Sequence, residues 1–380
     1  MKWTFKMNPI ISKIITQLIT NPVLQNIRFN LHEVKRNLTF SKATVHYFYQ
    51  PDDPYSQLSA SLIAQLQQRY KVQIQTYLLD QPSKQINPDQ QRLNEWAKRD
   101  AAELTKKFNL IPVHQVSAPN GTTLLHQLGH YSGAMFYFEG EWYWGIDRLH
   151  YLEKRLMKIG LSNDSDLEPL ISPPPLLYKE IPEKSIKPVI HFFCSLRSPY
   201  TWLALDRIFQ LAEHYQAELK LRFVLPMVMR GLPVPIEKRL YILLDSKREA
   251  NRLDLPFGCV VDPVGLVTKQ GLAVLHHAIQ QGKGNAFLHS FLKGVFADGV
   301  DAASMKGLHF LADRVGISES EVTASLNDES WKIIAEENRK ELLDKGLWGV
   351  PSFYVEGYSA LWGQDRIWML ERDLIQSLSI

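Results

Sequence analysis

HFFCSLRSPYTWLA, residues 191–204, joins a strand pattern to a helix start at a single residue, Ser198. Residues 189–193 are β-branched or aromatic and continuously apolar apart from His191, the composition of a strand buried on both faces. Ser198 has the chemistry of an N-cap, and Pro199 suits the first helical position, where its missing N–H costs nothing. Leu203, Leu205, Ile208 and Leu211 then supply the apolar spacing of a helix. A strand that feeds a helix N-terminus is a ready site for an anion.

The stretch has an echo earlier in the chain. Sliding by 145 residues without a gap places His46 on His191, Phe48 on Phe193, Pro54 on Pro199, Tyr55 on Tyr200 and Leu58 on Leu203. Ile63, Gln65, Leu66 and Tyr70 fall on Ile208, Gln210, Leu211 and Tyr215, more agreement than shared strand-helix-strand composition explains. A second half of the repeat follows: residues 133–149, GAMFYFEGEWYWGIDRL, pair with residues 350–367, VPSFYVEGYSALWGQDRI, after one insertion. Each reads as two strands about a Glu-Gly turn and then a helix. The offset grows to about 217, so the second copy holds about seventy extra residues between its halves, rich in helical patterns such as 241–253 and 305–315.

The boundaries follow: an N-terminal amphipathic helical segment, 1–43; a first copy, 44–160; a Pro-rich linker, 161–187, stiffened by Pro173 to Pro175; and a second copy, 188–380. In the N-terminal segment Ile10, Ile11, Ile14, Ile15, Leu18 and Ile19 fall at helical spacing, which predicts one helix over about 8–31. Packing of its apolar face on the protein is the commoner outcome for such a helix, since the polar face is not dominated by Lys and Arg.

Composition sets outer bounds. The chain has 380 residues and 45% hydrophobic content, enough for two cores. A net charge of +3, without long basic blocks, argues against nucleic acid. There is no run of apolar residues long enough to span a bilayer and no signal-peptide core, so a cytoplasmic protein is expected. Cys194 and Cys259 have no Cys-x-x-Cys spacing, and His126 and His130, one turn apart, suggest no third ligand, so no metal site is expected.

The motifs SPYTWLA (198–204), GVPSF (349–353) and WGQDR (362–366), on this pattern of elements, resemble the DsbA-like thioredoxin-fold proteins. Within that group they resemble the branch of 2-hydroxychromene-2-carboxylate isomerases and kappa-class glutathione transferases. The resemblance implies an α/β fold of two tandem thioredoxin-like domains with helical inserts, the larger insert in the second. It extends to the first copy only through the repeat. In that branch a serine replaces the redox cysteine and addresses the glutathione sulfur, which falls on Ser198. Val350-Pro351 resembles the cis-proline segment whose backbone pairs with the glutathione peptide. Asp365, with Gln364 beside it, resembles the carboxylate region that holds the γ-glutamyl end, and Lys238 falls near a basic ligand position. Ser195 stands where many relatives have Asp.

Holding a glutathione thiol ionised near neutral pH means lowering its pKa by roughly 1.5–2 units, or about 2–3 kcal/mol. A helix N-terminus supplies about 0.3–1 kcal/mol and a hydrogen bond to a charged group about 1.5–3 kcal/mol, so the two together suffice. Arg197 would add to this if it pointed inward. The first copy lacks the means: Asp53 occupies the Ser198 position and would repel a thiolate, and Ala134 occupies the Pro351 position. The leading expectation is a glutathione-dependent isomerase or transferase for a small electrophile, aromatic compounds among the candidates, and a homodimer is compatible with it. A non-catalytic tandem binding protein and DsbA-type thiol-disulfide exchange are the alternatives, the last opposed by a site without cysteines.

Overall fold

A computed structural model describes residues 8–82, 89–164, 167–181, 187–232 and 234–378. Two helices come first, α1 (Pro9–Ile19) and α2 (Pro22–Leu38), where one was expected. Pro22 accounts for the break, since proline opens a helix readily but cannot continue one. The first copy then runs β1 (Thr44–Tyr49), α3 (Pro54–Ala60), α4 (Ile63–Arg69), β2 (Gln73–Leu78), α5 (Gln90–Phe108), α6 (Thr122–Gln127), β3 (Met135–Phe138), β4 (Glu141–Trp144) and α7 (Leu149–Lys158). The second runs β5 (Val189–Cys194), α8 (Pro199–His214), β6 (Glu218–Phe223), α9 (Ile236–Arg252), α10 (Leu266–Gln280), α11 (Gly284–Lys293), α12 (Met305–Asp313), α13 (Glu319–Asn327), α14 (Trp331–Asp344), β7 (Ser352–Val355), β8 (Leu361–Trp362) and α15 (Ile367–Leu378).

The two sheets share one topology. Their strand orders are β2-β1-β3-β4 and β6-β5-β7-β8, a parallel pair followed by antiparallel additions. The central strands β1 and β5 are buried on both faces: Val45, Tyr47, Phe48 and Tyr49, and Ile190, Phe192, Phe193 and Cys194, are all fully buried. The shared histidines belong to this frame. His46 pairs across the sheet with Tyr137 and His191 with Tyr354, the second pair stacked with ring centroids 4.5 Å apart. The Glu-Gly turn of the first copy has positive φ at both Glu139 and Gly140, the geometry that matches the twist of a two-residue hairpin.

The repeat reaches further than the sequence suggested. Tyr55 donates to the buried Asp100 of α5 at 2.8 Å, and Tyr200 donates to Asp245 of α9 at 2.8 Å. Both pairs keep the offset of 145, so α9 has its counterpart in α5, and the segment 241–253 is part of the common frame rather than an insertion. The added helices are α10 to α13. A second pair recurs with Tyr70 and Glu153 at 3.1 Å and Tyr215 and Glu371 at 2.9 Å. Each glutamate also takes up the connecting chain: Glu153 accepts the N–H of Leu170, and Glu371 accepts those of Leu177 and Tyr178.

Two compact units result. One gathers the described residues among 22–174 and 233–241, the other those among 1–21, 175–232 and 242–380. The residues read as a linker are therefore shared, 161–164 and 167–174 with the first unit and 175–181 and 187 with the second, while 165–166 and 182–186 lie outside the described residues.

The N-terminal helices reverse the packing expected of them. α1 buries the hydroxyls of Ser12 and Thr16, as does its C-cap residue Thr20, and leaves its isoleucines in solvent. Ser12 donates to the carbonyl of Val260, and Thr16 accepts the N–H of the same residue, both at 3.1 Å. The stretch at Val260 has backbone groups to satisfy, and hydroxyls can do this where isoleucine cannot. Among the described residues no helix is long and apolar enough to cross a membrane.

Candidate active site

Ser198 lies beyond the loop that follows β5 and caps α8. Its hydroxyl oxygen accepts the Thr201 N–H at 3.1 Å, which satisfies one of the open donors of the first turn. The same hydroxyl donates to the carbonyl of Val350 at 3.3 Å, across the site. Val350-Pro351 is a cis peptide. The Pro351 carbonyl accepts the N–H of Gly363, so this segment is held on its far side by the strand that follows the turn. Gly349 is needed here, because a side chain would come within 2.0 Å of the Trp362 ring. The Val350 N–H has no hydrogen-bond acceptor among the described residues, and both Ser198 and Val350 are half-buried. The structure thus brings Ser198, Val350 and Pro351 together.

Arg197 does not turn toward this site. Its guanidinium makes a two-pronged pair with Asp262, both contacts at 2.6 Å. Ser195 is buried, its hydroxyl near the Arg197 N–H. Thr201, fully buried, has a hydroxyl without a hydrogen-bond partner among the described residues. Cys194 is fully buried and its thiol is pushed well up by burial, which keeps it protonated. Cys259 is half-buried, and neither cysteine is bridged.

Gln364 and Asp365 lie in the 3-10 turn before α15. Gln364 is buried, its amide donating to Glu249 at 3.0 Å and to Asp365, its oxygen receiving Arg207. Arg207 is drawn down to about 10, chiefly by burial and then by Arg252, against the pull of Asp365 and Glu249; it stays protonated at neutral pH. Glu249 in turn is gripped by Arg252 at 2.6 Å. A buried ionic network therefore ties α8, α9 and this turn, and Gln364 spends its side chain within it. Arg148 and Arg366, the closing residues of the Gly-x-Asp-Arg element in each copy, are both buried, so this element serves the frame in both. Lys238 groups with the other unit, its ammonium 5.8 Å from the Tyr131 ring centroid, and burial lowers its pKa. Among the described residues no three His, Cys, Asp or Glu are placed to hold a metal.

The first copy shows what the site becomes without these residues. Asp53 caps α3, accepting the N–H groups of Tyr55 and Ser56 at 3.3 and 3.0 Å. Burial raises its pKa, and the hydrogen bonds from Ser56 and Tyr55 oppose that rise. Ala134 has a left-handed backbone, φ 56°, and its N–H goes to the Ser56 hydroxyl at 2.8 Å. Ser56 is the counterpart of Thr201, and Ala134 that of Pro351. Proline offers no N–H, which is why the Thr201 hydroxyl goes unmatched in the second copy.

Residues 189–375 match the family model described as DSBA-like thioredoxin domain. The chain is similar to the 2-hydroxychromene-2-carboxylate isomerase of Pseudomonas sp. (strain C18), 21% identical over an alignment of 193 residues that covers 48% of this chain and 88% of that protein. It is also similar to the enzyme of that name from Pseudomonas putida, 21% identical over an alignment of 196 residues that covers 48% of this chain and 92% of that protein. Among solved structures, a probable DsbA oxidoreductase from Streptomyces coelicolor aligns with a TM-score of 0.41 and 18% identity, covering 50% of this chain and 90% of that one.

Proposed function

We propose, from a second half that is a DsbA-like thioredoxin domain, that this protein is a glutathione-dependent isomerase or transferase. The observation that carries the proposal is the placement of the Ser198 hydroxyl. It sits at the N-terminus of α8 and faces the Val350 carbonyl at 3.3 Å, beside a Val350 N–H with no acceptor of its own among the described residues. An open backbone donor beside a half-buried hydroxyl suits a peptide with a thiol, so the residues present fit the tripeptide. Val350 would pair with its backbone and Ser198 would face its sulfur, with Asp365 in the turn after β8. Bound glutathione supplies a thiolate nucleophile, and the similarity to two isomerases supports a carbon electrophile as its target.

The chain's own groups set the energetics. The Ser198 hydroxyl must leave the Val350 carbonyl to donate elsewhere, exchanging a neutral hydrogen bond worth about 0.5–1.5 kcal/mol for a charge-assisted one worth about 1.5–3 kcal/mol. The net gain is about 1–1.5 kcal/mol. Thr201 N–H, donating to the same oxygen, polarises the hydroxyl toward giving its proton. With the helix N-terminus adding about 0.3–1 kcal/mol, the site reaches the lower part of what ionising a thiol near neutral pH demands.

Titration calorimetry of the whole chain with glutathione tests the reading. Heat of binding is expected, and Ser198→Ala should weaken glutathione by roughly tenfold while leaving S-methylglutathione almost unchanged, because only the first presents an ionisable sulfur. Absence of heat with either compound would sink the proposal.

A further inference from the structure

α1 exposes Ile10, Ile11, Ile14, Ile15 and Leu18, with Ile10 69% and Leu18 53% accessible. α2 does the same with Ile27, Leu31, Val34 and Leu38, the last 75% accessible. At roughly 100° per residue these four fall within an arc of roughly 60°. α2 docks through its other side. Arg36 pairs with Glu139, and Phe29 lies 3.8 Å from the Arg155 guanidinium. Both helices thus meet their own unit through polar or aromatic contacts and hold an aliphatic stripe outward, the reverse of what a helix does when its apolar side belongs to the core.

Charge indicates what covers the stripe. Residues 1–42 contain seven Lys and Arg and a single carboxylate, Glu33, a net +6 against +3 for the chain, which leaves the remaining residues at −3. Arg28 and Lys35 are exposed and lie roughly 40–60° beyond the edge of the α2 stripe, whereas Glu33 and the paired Arg36 turn away from it. A second copy of this chain would set the same cations against each other across a twofold contact. An anionic lipid surface would attract them while it received the isoleucines and leucines.

We propose that α2 forms an interfacial anchor that binds anionic bilayers without crossing them. The aliphatic stripe of α2 enters the boundary between headgroups and acyl chains, and Arg28 and Lys35 reach the lipid phosphates. The idea is independent of the reading of Ser198.

Co-sedimentation of the full chain with vesicles tests it. Binding is expected to phosphatidylcholine vesicles containing phosphatidylglycerol and to fall by roughly tenfold on vesicles of phosphatidylcholine alone. Ile27→Gln with Leu31→Gln should remove binding to both, and Arg28→Glu with Lys35→Glu should remove the preference for the anionic lipid. All four positions are solvent-exposed, so the melting curves should match that of the parent. Failure of the parent chain to sediment with anionic vesicles overturns the proposal. So does a concentration-dependent dimer that the glutamine pair dissociates, which would assign the stripe to a second copy.

Discussion

Ser56 and Thr201 occupy the same place in the two copies and face opposite accounts. Ser56 answers the Ala134 N–H and also receives the Gln50 N–H at 3.1 Å, whereas the Thr201 hydroxyl answers nothing. A buried donor without a partner costs about 1–3 kcal/mol. Thr201→Val, which keeps the shape, is therefore expected to raise stability by about 1 kcal/mol in a urea melt. Ser56→Ala should lower it by about 1–3 kcal/mol, since two N–H groups lose their acceptor. Neither residue draws notice in the sequence, because serine and threonine near a helix start are ordinary. Ser198 was legible through Pro199, Tyr200 and the later Val350-Pro351. The alignment of Arg197 with Asp262 was not, since nothing local marks a partner 65 residues away.

Among the elements, the connecting chain is fixed at each end by a buried glutamate, and one of these is a source of pH dependence. Burial pushes Glu153 up to about 7, against the N–H of Leu170, the Tyr70 hydroxyl and Arg69, which all favour its charged form. A carboxyl raised in the folded state binds a proton more tightly there than in the unfolded chain, so its contribution is fully present below about pH 4.5 and is lost as pH rises through about 7. Melting temperature should therefore fall between pH 5 and 8 by more than in Glu153→Gln. The variant should match the parent near pH 5 and exceed it near pH 8, and thermal scans across that range decide the matter. The Tyr70 and Tyr215 identity was visible beforehand, yet its glutamate partners are 83 and 156 residues away and carried no signal. Asp100 and Asp245 were hidden for a related reason, because α5 and α9 agree at little else.

Across the whole molecule, one frame is used twice and equipped once. The strand orders, the Tyr–Asp and Tyr–Glu pairs and the buried arginine before the last helix recur, while the Ser198 and Pro351 positions do not. One glutathione per chain is accordingly the expected stoichiometry in calorimetry, and two would mean that the first copy binds as well. The tandem plan was readable because strand and turn residues repeat at fixed offsets. The direction in which α1 and α2 face was not, since periodicity reports that a stripe exists and not which side of the helix the fold takes up. That orientation leaves a thermal signature. Unfolding raises heat capacity by about 12–15 cal/mol/K per residue because apolar surface becomes hydrated. In α1 and α2, 11 and 17 residues long, most of that surface is already wet. The full chain should therefore melt with a heat-capacity increment about 0.4 kcal/mol/K smaller than its length implies, and the shortfall should shrink once vesicles have dried the α2 stripe.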